Sequence, residues 1–241
     1  YIRLYEEDVT MAGKEITIKA ADRGDFMGYL AIPETESGPG VVVIQEIFGV
    51  NDFMREITDS YAKAGYMALC PDLFWRQEPN IQLTDQSEEE WARAFELFSG
   101  FDLDKGVQDL DSTIETLRVL DGCSDKVGTV GFCLGGRLAY LSATRTKADA
   151  AVGYYGVMLT EHLNETINAP LVLHVATEDE YMPKEQQDEM QAGLAGNDKV
   201  MIYVYEGQSH AFARAGGEHF DQASADAASE RTLDHFRVHL G

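Results

Sequence analysis

Residues 126–137 read KVGTVGFCLGGR, and the fold is decided there. Val127, Thr129 and Val130 form a short β-branched run, and the glycine-rich turn after it leads into a helical stretch beginning at Leu134. Cys133 stands between Gly131 and Gly135, the two places where a Cβ would strike the neighbouring strand or helix if a strand turned sharply into a helix. Such a turn strains its central residue and presents it at the C-terminal edge of a sheet, where doubly wound folds collect their active sites. The helix behind it supplies N–H groups and a dipole that favour a thiolate at Cys133 and an oxyanion beside it. Most free cysteines are simply small buried hydrophobes; strand, glycines and helix together set this one apart as a nucleophile.

Outward from this turn the chain alternates strand and helix. Two antiparallel strands are expected at 15–20 and 26–31, then 40–44 (GVVVI), apolar on both faces as a central parallel strand must be. A helix at about 51–63, a buried strand at 66–70, a polar insertion at 75–90 that reads as loop, and another helix come next. Leu103, Val107, Leu110, Ile114 and Leu117 share one helical stripe. Past the elbow, a helix is expected at 134–146, strands at 150–154 and 170–176, a helix near 184–194, a strand at 199–205 and a last helix near 223–240. The pattern predicts a single doubly wound, mostly parallel α/β domain over residues 1–241, with helices on both faces of the sheet.

With 42 acidic residues against 19 basic ones, the formal charge is −23. That field argues against nucleic acid or an anionic membrane as partner and reads as a solvated acidic surface, so an anionic ligand needs local arginines. No apolar run approaches the roughly 20 residues that span a bilayer. Cys70, Cys123 and Cys133 are odd in number and lack a CxxC pair, which suits reduced thiols in a cytoplasmic protein. The first methionine is Met11, which leaves room for a trimmed leader. Without a Cys/His ligand cluster or a phosphate-cradling GxGxxG, neither metal nor organic cofactor is expected, and a self-contained domain of this size is expected as a monomer.

In α/β-hydrolase-type triads the acid and the histidine come after the nucleophile in chain order, each on a loop after a later strand. Asp179 lies between the strand 170–176 and the turn at Pro183, with Glu178 and Glu180 as weaker rivals. His210 lies at the tip of the loop after the strand 199–205. His162 sits in a polar connector, His174 inside a strand, and His219, His235 and His239 in or near the last helix. His210 is thus the expected base for the thiol, and Asp179 the group that fixes its tautomer. Backbone N–H groups of Leu134 and Ile47 are the expected oxyanion donors. Cys70 and Cys123 lack comparable surroundings and are expected to pack.

The segments VVVIQEIFGVNDFMRE, CPDLFWRQ, VGFCLGG, AVGYYG, DEYMP and SHAFAR cover residues 41–214 in an order that resembles the dienelactone hydrolases, also called carboxymethylenebutenolidases, a family of α/β-hydrolases. The resemblance implies that Cys133, Asp179 and His210 form the triad. It adds Glu46, a carboxylate in contact with the nucleophile thiol, which would hold the proton on the sulfur or take it until substrate arrives. Family substrates carry a carboxylate, for which Arg76 and Arg214 are the matching ligands. Tyr154 either lines the site near Glu46 or packs in the core. Phe132 where tyrosine is common, Gln208-Ser209 before His210 in place of Ala-Gly, and Trp75 in the site loop depart from the family pattern.

A cysteine also narrows the chemistry, because a tetrahedral intermediate with an ordinary alkoxide would expel the thiolate instead. The leaving group must be good, and the enolate released from an enol lactone is. The expected partner is therefore a small anionic lactone or ester, with a dienelactone opened to a maleylacetate-type keto acid. A related carboxylesterase or thioesterase would use the same triad. A catalytically silent ligand-binding member would be expected to lack a triad residue, and none is missing.

Overall fold

The computed structural model of the protein describes residues 13–241. Strands β1 (Lys14–Lys19) and β2 (Asp25–Ala31) pair antiparallel. β3 (Gly38–Ile44) runs parallel to β4 (Met67–Pro71) on one side and to β5 (Cys123–Phe132) on the other. β6 (Ala150–Tyr154), β7 (Leu171–Glu178) and β8 (Val200–Ser209) continue the parallel part. The eight strands form one sheet in the order β1-β2-β4-β3-β5-β6-β7-β8, in which β2 also pairs antiparallel with β4.

The central strand shows why the sheet is covered on both faces. Val42 and Ile44 of β3 join one apolar cluster, with Leu110, Ile114 and Leu117 of helix α3 (Leu103–Arg118) and Leu138 of α4 (Leu134–Arg145). Val41 and Val43 join the other, with Met54, Ile57 and Tyr61 of α1 (Asp52–Lys63) and Phe236 of α6 (Gln222–His239). All four strand residues are fully buried, each worth roughly 1.5–3 kcal/mol of apolar transfer. α5 (Lys184–Leu194) packs with the first cluster through Met190 and Leu194. This is an α/β-hydrolase fold. Among the described residues, no helix is long and apolar enough to cross a membrane.

Two features of these elements bear on the site. β5 and β8 run further than expected, so Cys133 and His210 come directly after their strands. The polar insertion ends in α2 (Glu88–Ser99), capped by Ser87, whose side chain accepts from the Glu90 N–H. The segment before it is pinned to the loop after β3: Leu83 N–H donates to Phe48 C=O at 2.8 Å, and Val50 N–H to Ile81 C=O at 3.1 Å. α2 is thereby carried to the C-terminal end of β3.

Candidate active site

Cys133 joins β5 to α4 with φ 57° and ψ −114°, a strained conformation for a residue with a side chain. Its neighbours explain how this is tolerated. A Cβ on Gly131 would lie 1.9 Å from the Gly135 carbonyl oxygen, and one on Gly135 would lie 2.3 Å from that of Ile44. The turn is therefore closed on both sides by backbone, and only glycine fits either place. The Cys133 N–H donates to Tyr154 C=O at 3.1 Å, which fixes the turn to β6.

His210 and Asp179 come together behind this cysteine. The His210 Nδ1 lies 3.0 and 2.9 Å from the two Asp179 carboxylate oxygens, and both residues are buried. One of those oxygens also accepts the Tyr181 N–H at 2.9 Å, so the carboxylate is held from two directions. Glu178 and Glu180 are exposed. With Nδ1 so engaged, Nε2 is buried and without a hydrogen-bond partner. Burial opposes charge on this imidazole, but a Cys133 thiolate and the Asp179 bond outweigh it and lift its pKa from 6.5 to about 10.

The other histidines and cysteines are occupied elsewhere. Burial pushes His174 down to about 3, and its ring nitrogens meet the Tyr205 and Thr232 hydroxyls at 2.8 and 3.0 Å. His162 meets Arg137 and Glu165, and His235 meets Pro170 C=O. His219 contacts the His210 carbonyl at 3.2 Å and so braces the loop. Burial pushes the Cys70 thiol up to about 12, and the Cys123 thiol is raised for the same reason.

Cys133, Glu46, Ile47, His210 and Arg214 line one cleft of about 140 Å³. Glu46 lies two residues past β3 and is buried; one oxygen accepts from the Arg214 Nη1 at 3.2 Å and the other has no hydrogen-bond partner. Arg214 also reaches Asp85 at 3.5 Å and lies 5.3 Å above the Phe48 ring. Leu134, the first residue of α4, is buried beside the elbow.

Two expected ligands lie elsewhere. Arg76 is bound to Asp109 at 2.7 Å and to Asp22 at 2.8 Å and lies 4.3 Å above the Trp75 ring, outside the cleft. Asp109 is a buried acid on α3 that requires a counter-charge, and Arg76 supplies it. Trp75 turns the same way, stacked on Phe26 and donating to Asp109 at 2.8 Å, so it is not a site residue either. Tyr154 is buried with its hydroxyl 2.7 Å from that of Thr232 on α6, so its packing alternative is the one realised. β6 ends there, and the next residue, Tyr155, takes φ 37° and sets its ring 5.1 Å from that of His210. Sequence reasoning missed Tyr155, Asp85 and the aromatic wall of the cleft, Trp91, Phe95 and Phe98.

Sheet order, elbow and cleft together define an α/β-hydrolase. The sequence profile of the dienelactone hydrolase family matches residues 26–240, and the chain belongs to that family. It is 40% identical over 224 residues to carboxymethylenebutenolidase 1 of Cupriavidus pinatubonensis, covering 92% of this chain and 94% of that one. To the carboxymethylenebutenolidase of Pseudomonas putida it is 37% identical over 226 residues, covering 93% and 96%. A Klebsiella pneumoniae crystal structure, named as a candidate dienelactone hydrolase, superposes with a TM-score of 0.83 at 26% identity, covering 93% of this chain and 98% of that one.

Proposed function

We propose that this protein is a hydrolase that opens activated enol lactones, of the dienelactone to maleylacetate type, through a thioester on Cys133. The observation that carries the reading is the bare, buried His210 Nε2 in a cleft shared with Cys133, its other nitrogen held by Asp179. The relatives named for this reaction support it.

The substrate carboxylate pairs with Arg214 and so competes with Glu46, the partner of that arginine in the free protein. The thiol proton passes to His210 Nε2, the sulfur bonds to the lactone carbonyl carbon, and the carbonyl electron pair moves to oxygen. Backbone N–H groups of Leu134 and Ile47 receive that oxyanion. Collapse breaks the ring C–O bond, and the enolate leaves, takes the proton and rearranges to the ketone. Water, deprotonated by His210, then attacks the thioester, the C–S bond breaks, and the thiolate regains a proton.

The test is a panel of dienelactones, simple lactones and aryl esters run on wild type, Cys133→Ala and Arg214→Ala. The proposal expects saturable dienelactone hydrolysis that vanishes with Cys133→Ala, and a raised KM for carboxylated substrates alone with Arg214→Ala. Turnover confined to neutral aryl esters, or undiminished in Cys133→Ala, rejects it.

A further inference from the structure

The lining of the cleft is of two kinds. Among the described residues that line it, Arg214 is the sole arginine or lysine, and it already faces the carboxylates of Glu46 and Asp85. One substrate carboxylate can compete for it, whereas a second would find no further arginine or lysine and would face two acids. The rest of the wall is largely apolar. Trp91, Phe95 and Phe98 fall four and three residues apart, so α2 turns all three to the cleft on one face. At its mouth Phe95 is 41% exposed, and Met158 and Tyr181, also lining it, are 37% and 39% exposed. Large apolar side chains gathered open to water around a catalytic cleft are surface that a ligand can cover.

We infer that the preferred substrate carries a single carboxylate and a bulky apolar, aryl-sized substituent, with the carboxylate at Arg214 and the apolar group against Phe95, Phe98 and Met158. The inference rests on the reading of this cleft as the lactone-binding site. It makes α2 the specificity element, because α2 provides the aromatic wall.

Three lactones sharing a carboxymethylidene-butenolide core test it, one with hydrogen, one with phenyl and one with a second carboxylate on the ring. The phenyl compound is expected to exceed the parent in kcat/KM by about tenfold or more, and the dicarboxylate to fall below the parent by about tenfold, as differential burial of a ring-sized group and an unpaired buried charge dictate. Phe95→Ala should lower the ratio of phenyl to parent lactone. A phenyl compound no better than the parent, or a preferred dicarboxylate, overturns the inference. Calorimetric binding of the intact phenyl and parent lactones, each with one carboxylate, to Cys133→Ala protein separates the two levels. Equal affinities reject the substrate class whether or not the lactones turn over. Tighter phenyl binding with no turnover of any lactone upholds the substrate class and rejects the hydrolysis proposed above.

Discussion

Replacing Asp179 by asparagine removes a charge while keeping the shape, and the hydrogen bonds around it determine the consequence. The carboxylate receives His210 Nδ1 across both oxygens, at 3.0 and 2.9 Å, while one of them also accepts the Tyr181 N–H. Asparagine has a single oxygen. If that oxygen stays on Tyr181, the new NH₂ faces Nδ1, and the ring avoids two opposed donors by moving its proton to Nε2. A protonated Nε2 cannot accept the Cys133 proton. The expected loss in kcat is on the order of 10³–10⁴, as for other triads whose base is held in the wrong tautomer. KM should change little, because Asp179 does not line the catalytic cleft. Loss of a buried charge-assisted bond should cost about 2 kcal/mol of stability, and the His210 pKa should fall from about 10, since the Asp179 bond is one of the effects that raise it. Steady-state kinetics on a dienelactone, urea unfolding and imidazole NMR measure the three. A kcat within about threefold of wild type, with the stability loss present, would refute the role given to this pair.

The same geometry predicts three further outcomes. Gly135→Ala places a Cβ 2.3 Å from the Ile44 carbonyl and 2.6 Å from that of Gln45, both backbone, so urea unfolding should show a loss of about 3 kcal/mol together with activity. Arg76→Ala leaves buried Asp109 without its guanidinium and should cost about 2–3 kcal/mol in the same assay, while kcat/KM stays within about twofold because Arg76 lies outside the cleft. The raised His210 pKa stabilises the fold fully below 6.5, and that contribution is lost as pH rises through about 10. Wild type should therefore lose its stability advantage over His210→Gln between about pH 7 and 10, and an advantage constant across that range contradicts the ion pair.

Much of this was legible in the sequence because it depends on local sterics and chain order. Gly131 and Gly135 flag an elbow wherever they occur around a nucleophile, and Val41 to Ile44 can be apolar on consecutive positions only if both sheet faces are covered. Asp179 and His210 could be paired from chain order because this sheet delivers the loops after β7 and β8 to the same edge. Arg76 was misplaced for a different reason. A motif shows that an arginine is near a loop, but its direction is decided by the strongest partner in three dimensions, here Asp109, which is 33 residues away in sequence. Tyr154 and Tyr155 could not be told apart by strand parity, since the strand ends between them and a positive φ resets the direction. The spacing of Trp91, Phe95 and Phe98 did carry a signal of one shared helix face. What sequence could not supply was the pinning of residues 81–83 to the loop after β3, which carries that face over Cys133.

The central claim is that Cys133 forms the covalent intermediate. Rapid acid quench during dienelactone turnover, then intact-protein and peptide mass spectrometry, tests it most directly. The account predicts an added mass equal to one substrate molecule, on the peptide containing Cys133 and labile to hydroxylamine as a thioester is. An adduct on another residue, or full turnover by Cys133→Ala with no adduct in wild type, would contradict it.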